Sequence, residues 1–157
     1  MDGSSKQLLI VFHSQSGNTR RLAQAALAGA KSFSSDNVSV TLKQAFEASP
    51  EDLLQCQGLI LGTPENFGYM SGGLKDFFDR TFYAVEGKIA VLPYAILISA
   101  GNDGSGAVRA IHRIANGYPF KEVQPPLICV GEISRVHLKQ SRDLGMAFAA
   151  ALDAGIF

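Results

Sequence analysis

The chain has 157 residues, 46% hydrophobic and 18% charged, the make-up of one soluble folded domain with a sizeable core. Fourteen basic and fourteen acidic residues cancel, so no global field recruits nucleic acid or an anionic membrane, and neither is expected as a partner. No apolar stretch approaches the roughly 20 residues that span a bilayer.

The opening MDGSSKQ lacks the apolar core of a signal peptide, so residues 1–6 read as a flexible tail on a single domain of 1–157. A cytoplasmic protein is the default expectation. Leu8–Phe12 (LLIVF) is an apolar run of strand length. HSQSGNTR follows at 13–20, and then Leu22, Ala25, Ala26, Gly29 and Ala30 recur at helical spacing. Val38–Leu42 alternates apolar with polar, as a strand near a sheet edge does. Ser49-Pro50-Glu51-Asp52 has the form of an N-cap with proline at the first helical position, opening a short helix through Leu54.

Gly58–Gly62 (GLILG) is the third apolar run. Past a loop, Leu74, Phe77, Phe78, Thr81 and Phe82 mark a helix face. Tyr94–Ser99 (YAILIS) is the fourth run and leads into the small-residue loop AGNDGSG. Val108, Ile111, Ile114 and Ala115 form the next helical stripe. Leu127–Val130 is the fifth run, behind Pro125 and Pro126. The last helix carries Leu144, Ala147, Phe148, Ala151 and Leu152 on one side. Strands alternating with helices imply a parallel α/β sheet covered on both faces. Ligands of such sheets bind beyond the carboxyl ends of the strands, which directs attention to the loops 13–19, 63–73 and 100–106.

Ser14-Gln15-Ser16-Gly17-Asn18-Thr19 reads physically in two ways. It is an anion cradle, in which Gly17 and Asn18 turn amides inward, hydroxyls add donors and the following helix adds its positive end. Or it is a plain strand-to-helix turn capped by Ser and Asn. No GxxxxGK[ST], GxGxxG or GxSxG is present, which excludes the nucleoside-triphosphate loop, the Rossmann site and the hydrolase elbow. Cys56 and Cys129 form no CxxC and read as buried reduced thiols, and no metal site is expected.

SQSGNT resembles the [ST]-x-[ST]-G-N-T phosphate loop of flavodoxins and flavodoxin-like reductases. GTPENFGYMSGGLKDFFDRT, residues 62–81, is similar to the flavin-ring loop of the Trp-repressor-binding-protein-like NAD(P)H:quinone reductases. The resemblance covers most of the chain. It implies a flavodoxin-like three-layer sandwich with a five-stranded parallel sheet in the order 2-1-3-4-5. It implies FMN as cofactor, with Ser14, Gln15, Ser16, Gly17, Asn18 and Thr19 around the phosphate. Pro64, Glu65, Asn66, Phe67 and Gly68 would border the ribityl chain and ring. Ser99, Ala100, Gly101, Asn102, Asp103 and Gly104 would line the pyrimidine end.

The expectation is an FMN-dependent oxidoreductase passing electrons from NAD(P)H to a quinone-like or other small acceptor, with no catalytic side chain. The alternative is a flavodoxin-type carrier serving protein partners. A neutral chain, no Trp and no aromatic in loop 100–106 favour the reductase, because one ring face stays open for stacking. Family habit implies a dimer or higher oligomer, although the chain is shorter than the quinone reductases. His112 reads as a surface or capping histidine, and Arg20 and Arg21 as helix-surface charges. Glu65 and Asp103 place one carboxylate in each ring loop, where negative charge would lower the flavin potential.

Overall fold

All five apolar runs become parallel strands of one sheet in the computed structural model, which describes residues 5–33 and 35–157. The elements in chain order are β1 (Lys6–Phe12), α1 (Asn18–Ser32), β2 (Val38–Gln44), α2 (Pro50–Gln55) and β3 (Gly58–Asn66). They continue as β4 (Tyr69–Met70), α3 (Gly72–Val85), β5 (Leu92–Ala100), α4 (Ser105–Ala115), β6 (Phe120–Glu122), β7 (Leu127–Val130) and α5 (Arg135–Ala154). Of the expected tail, residues 1–4 lie outside the described residues, and Lys6 already pairs with Val38 as the first residue of β1.

The sheet order is β2-β1-β3-β5-β6, with β7 also paired to β5. This is the expected 2-1-3-4-5 arrangement, with its fifth strand in two pieces. β6 follows the start of β5, Leu92 opposite Phe120, and β7 follows its end, Leu97 opposite Leu127. Pro125 and Pro126 fall between them and have no N–H to give to β5, so the ladder breaks there. β2 takes the edge, as its alternating pattern requires.

Residues alternate between two apolar layers, one on each face. Leu9 and Val11 point with Leu59, Leu61, Ile96 and Ile98 toward Phe77, Phe78 and Ile111. Leu8, Ile10 and Phe12 point with Ile60 and Leu97 toward Leu22, Ala26 and Phe148. The middle strands are therefore buried on both sides and hydrophobic throughout. Cys56 and Cys129 are buried free thiols, and burial pushes Cys56 up to about 12, far from thiolate chemistry.

Helix starts are set by local chemistry. Ser49 and Asp52 form a full capping box on α2, Ser71 caps α3 through Leu74 N–H, and Ser134 caps α5 through His137 N–H. One difference from the sequence reading matters for the site. β3 runs four residues past Gly62, because Glu65 and Asn66 turn back to pair antiparallel with Met70 and Tyr69. The stretch taken for open loop is therefore a tight hairpin.

Candidate functional site

The strand order reverses beside β1, which has β2 on one side and β3 on the other. A cleft of about 370 Å³ opens past the carboxyl ends of the strands. Ser16 and Asn18 contribute from the loop after β1, Pro64, Glu65 and Asn66 from the end of β3, and Ser99, Ala100 and Gly101 from the end of β5. Three loops distant in sequence thus converge on one space. A cavity of about 430 Å³ at the opposite end, bordered by Lys6, Gln57 and Lys88, lies among the starts of strands and gathers none of these loops.

The first loop turns on Gly17, whose φ of 104° lies in the region that favours glycine. Nothing within 4 Å would meet a side chain there, so the requirement is conformational and the space above the loop is open. Ser14 Oγ accepts from Gly17 N–H at 3.1 Å and holds the turn. Gly17 is the N-cap of α1, and it has no side chain to give to the first-turn N–H groups of Asn18, Thr19 and Arg20. No acidic residue occupies that first turn.

The contrast with α4 decides what this feature is. α4 also has a glycine N-cap, Gly104 at φ 75°, but its first turn is supplied from elsewhere. Asp103 Oδ1 accepts from Ser105 N–H at 3.0 Å, and Glu65 Oε2 accepts from Gly106 and Ala107 N–H at 3.0 and 3.3 Å. Among the described residues, α1 alone of the five helices begins without a side-chain acceptor, and it begins at the cleft. Four helix starts are capped and the fifth, beside an opening, presents donors of the kind that bind anions.

The remaining expected residues divide by what they touch. Thr19 and Ser99 are buried and hydrogen-bonded to each other at 2.8 Å, so they brace the cleft from beneath. Gln15 is exposed, and its Oε1 accepts from Asn66 Nδ2 at 3.0 Å, joining the first loop to the hairpin. Phe67 and Gly68, at φ 53° and 69°, form the two-residue turn between β3 and β4, with the Phe67 side chain fully exposed. Asn102 and Asp103 are exposed beyond the cleft, and the Ser105 N–H and hydroxyl hold the Asp103 carboxyl below its usual range. Gly104 is buried against Ile128.

Three neighbours escaped the sequence reading. Gly131 and Glu132, after β7, form a further wall of the cleft, with Gly131 N–H donating to Ala100 O at 2.8 Å. Their signal was topological, since the fifth strand also ends on this side. His13 leads into the cradle with its backbone N–H on Gly62 O at 3.0 Å. Its ring lies edge-on to Phe46 and against Gly73, its Nδ1 is buried with no partner among the described residues, and burial lowers its pKa. A lone histidine in a loop carries no pattern by which to foresee this. His112 pairs with Glu122 at 3.0 Å away from the cleft, and Arg20 lies over the Phe12 ring.

The family described as NADPH-dependent FMN reductase matches residues 8–120, the stretch carrying all three expected cleft loops. The chain belongs to that family. This makes it a member of an FMN-linked, flavodoxin-like family of oxidoreductases. Similar curated proteins include a flavodoxin of Aquifex aeolicus, 33% identical over 64% of this chain and 53% of its own length. Another is an NAD(P)H dehydrogenase (quinone) of Acidithiobacillus ferrooxidans, 34% identical over 64% of this chain and 60% of its own. The chain thus spans between 53% and 60% of these two relatives.

Among solved structures, a flavodoxin from the domain Archaea superposes with TM-score 0.81 at 22% identity, covering 94% of this chain and 99% of that one. A WrbA-like flavodoxin from Agrobacterium tumefaciens gives 0.76 at 19%, covering 96% and 99%. At such identities these two establish the flavodoxin-like fold. The FMN reductase family member described here keeps that fold, with no helix among the described residues long and apolar enough to cross a membrane.

Proposed function

We propose that the protein binds FMN in the cleft and acts as an oxidoreductase that takes electrons from NAD(P)H and passes them to a quinone-like or other small acceptor. The carrying observation is the bare N-terminus of α1, whose amides, with the hydroxyls of Ser14 and Ser16 and the amide of Asn18, form an uncharged donor set suited to a phosphate dianion. Bound there, FMN would supply the hydride-accepting ring, so the protein needs to bind, orient and shield rather than to donate a catalytic group. Pro64 to Gly68 on one side and Ser99 to Gly104 on the other are the segments proposed to flank the ring.

The reading as reductase rather than carrier rests on the two walls being unlike. The hairpin displays Phe67, whereas the opposite wall is Ser99, Ala100 and Gly101, which leaves room for a nicotinamide or quinone to stack. Absorbance spectroscopy tests both parts. FMN added to the apoprotein is expected to show the perturbed, resolved bands of a bound flavin. NADPH is then expected to bleach them, and a quinone to restore them with steady turnover. No spectral change on FMN addition would overturn the cofactor assignment. Bleaching only through a separate reductase protein would favour the carrier.

A further inference from the structure

Glu65 does not stand in solvent beside the cleft. From the end of β3 its carboxylate crosses to α4, where Oε2 takes the N–H groups of Gly106 and Ala107 at 3.0 and 3.3 Å. These are the N2 and N3 donors that an N-cap side chain normally satisfies, and the N-cap here is Gly104, which has none. The carboxylate also sits on the positive end of the helix. A second contact lies beside the first: a Cβ on Gly106 would collide with the carbonyl of Gly68, so only glycine lets the α4 backbone lie against the hairpin turn. These elements carry two of the walls of the cleft, Pro64 to Asn66 at the end of β3 and Gly101 just ahead of α4.

We propose that Glu65 is a positioning residue that latches α4 to β3 and so fixes the width of the slot between these two walls. The inference deepens the FMN reading and rests on it for the identity of what fills the slot. Its consequence differs from the expectation drawn from charge alone. With the carboxylate taken up by α4, the main effect of Glu65 is on geometry, through backbone donors, and the neutral Gln retains an acceptor for them while Ala does not. Asp103 completes the arrangement by taking the N1 donor of Ser105, so α4 enters the site with its first turn saturated and held in place.

Amide hydrogen exchange on the flavin-free protein, together with FMN titration by fluorescence quenching, tests this with E65A and E65Q. In E65A the Gly106 and Ala107 amides are expected to exchange about tenfold faster or more, with FMN binding weakened by about tenfold. In E65Q both changes are expected to be partly reversed, and the melting temperature serves as the check that each variant is folded. Unchanged exchange at Gly106 and Ala107 in E65A would overturn the latch. Faster exchange with unaltered FMN affinity would reduce Glu65 to a helix cap with no role in the slot. If the unmodified protein binds no FMN, the cofactor reading fails on its own, and the exchange data still decide whether the latch exists.

Discussion

The hydroxyls of Thr19 and Ser99, eighty residues apart, meet at 2.8 Å under the floor of the cleft. Thr19 lies in the first turn of α1 and Ser99 next to the end of β5, so this single bond ties the start of α1 to the end of β5 at the cleft. Both side chains are buried, and removing one leaves the other without its partner in a dry place. T19V and S99A should therefore each cost about 1–3 kcal/mol. The pair T19V/S99A should cost less than their sum, because no orphan remains. Urea unfolding of the four proteins measures this, and strict additivity would show that the bond carries no coupling.

Gly17 offers a cleaner separation of backbone from contact. Its φ is 104° and no atom lies within 4 Å of the position a Cβ would take. G17A therefore introduces conformational strain and no collision, costing about 1–2 kcal/mol. The same strain would twist the amides that face the cleft. FMN affinity should fall by more than the stability loss alone explains, and comparing titration with denaturation on one sample shows whether it does. Wild-type FMN affinity in G17A would separate the cradle from this turn.

How far the sequence foretold the fold depends on what each segment buries. LLIVF, GLILG and YAILIS are apolar on both faces because they are central, and VSVTL alternates because it is the edge, so five of the seven strands followed from hydrophobic pattern and their order from the resemblance, while β4 and β6 did not. Ser49-Pro50 foretold α2 because its cap is made by adjacent residues. Pairings made across the fold left no local trace. The Glu65 contact with α4 spans 41 residues, and Gln15 to Asn66 spans 51. PENFG therefore read as a loop bearing one carboxylate, with no sign of its partner on α4. The β4 strand is only two residues long and owes its existence to the turn beside it.

That turn makes its own prediction. Phe67 and Gly68 both have positive φ, the geometry of a type I′ hairpin, for which Asn-Gly is the favoured pair and a bulky first residue is strained. The strain is maintained for a side chain that is wholly exposed. Phe67→Asn should therefore stabilise the protein by about 1 kcal/mol, raising Tm by roughly 2–4 °C. It should at the same time impair NADPH-dependent quinone reduction, since the proposed aromatic wall is lost. A variant that gains stability and keeps full activity would free Phe67 of any part in the site.

His13 links the site to pH. Burial lowers its pKa from the usual 6.5, and among the described residues its Nδ1 has no partner to stabilise a proton. The ring is wedged between Phe46 and Gly73 at the start of α3, whose positive end also opposes a cation. As pH falls, the unfolded chain takes up this proton first, so stability should rise with pH between the lowered folded value and about 6.5. The contribution is complete above that window and lost as pH falls through it. His112 and His137 are common to wild type and His13→Gln, so the difference between their urea midpoints at about pH 7.5 and about pH 5 isolates His13. Wild type should lose more stability than the variant on acidification. Parallel pH profiles for the two proteins would show that the half-buried ring does not sense the proton.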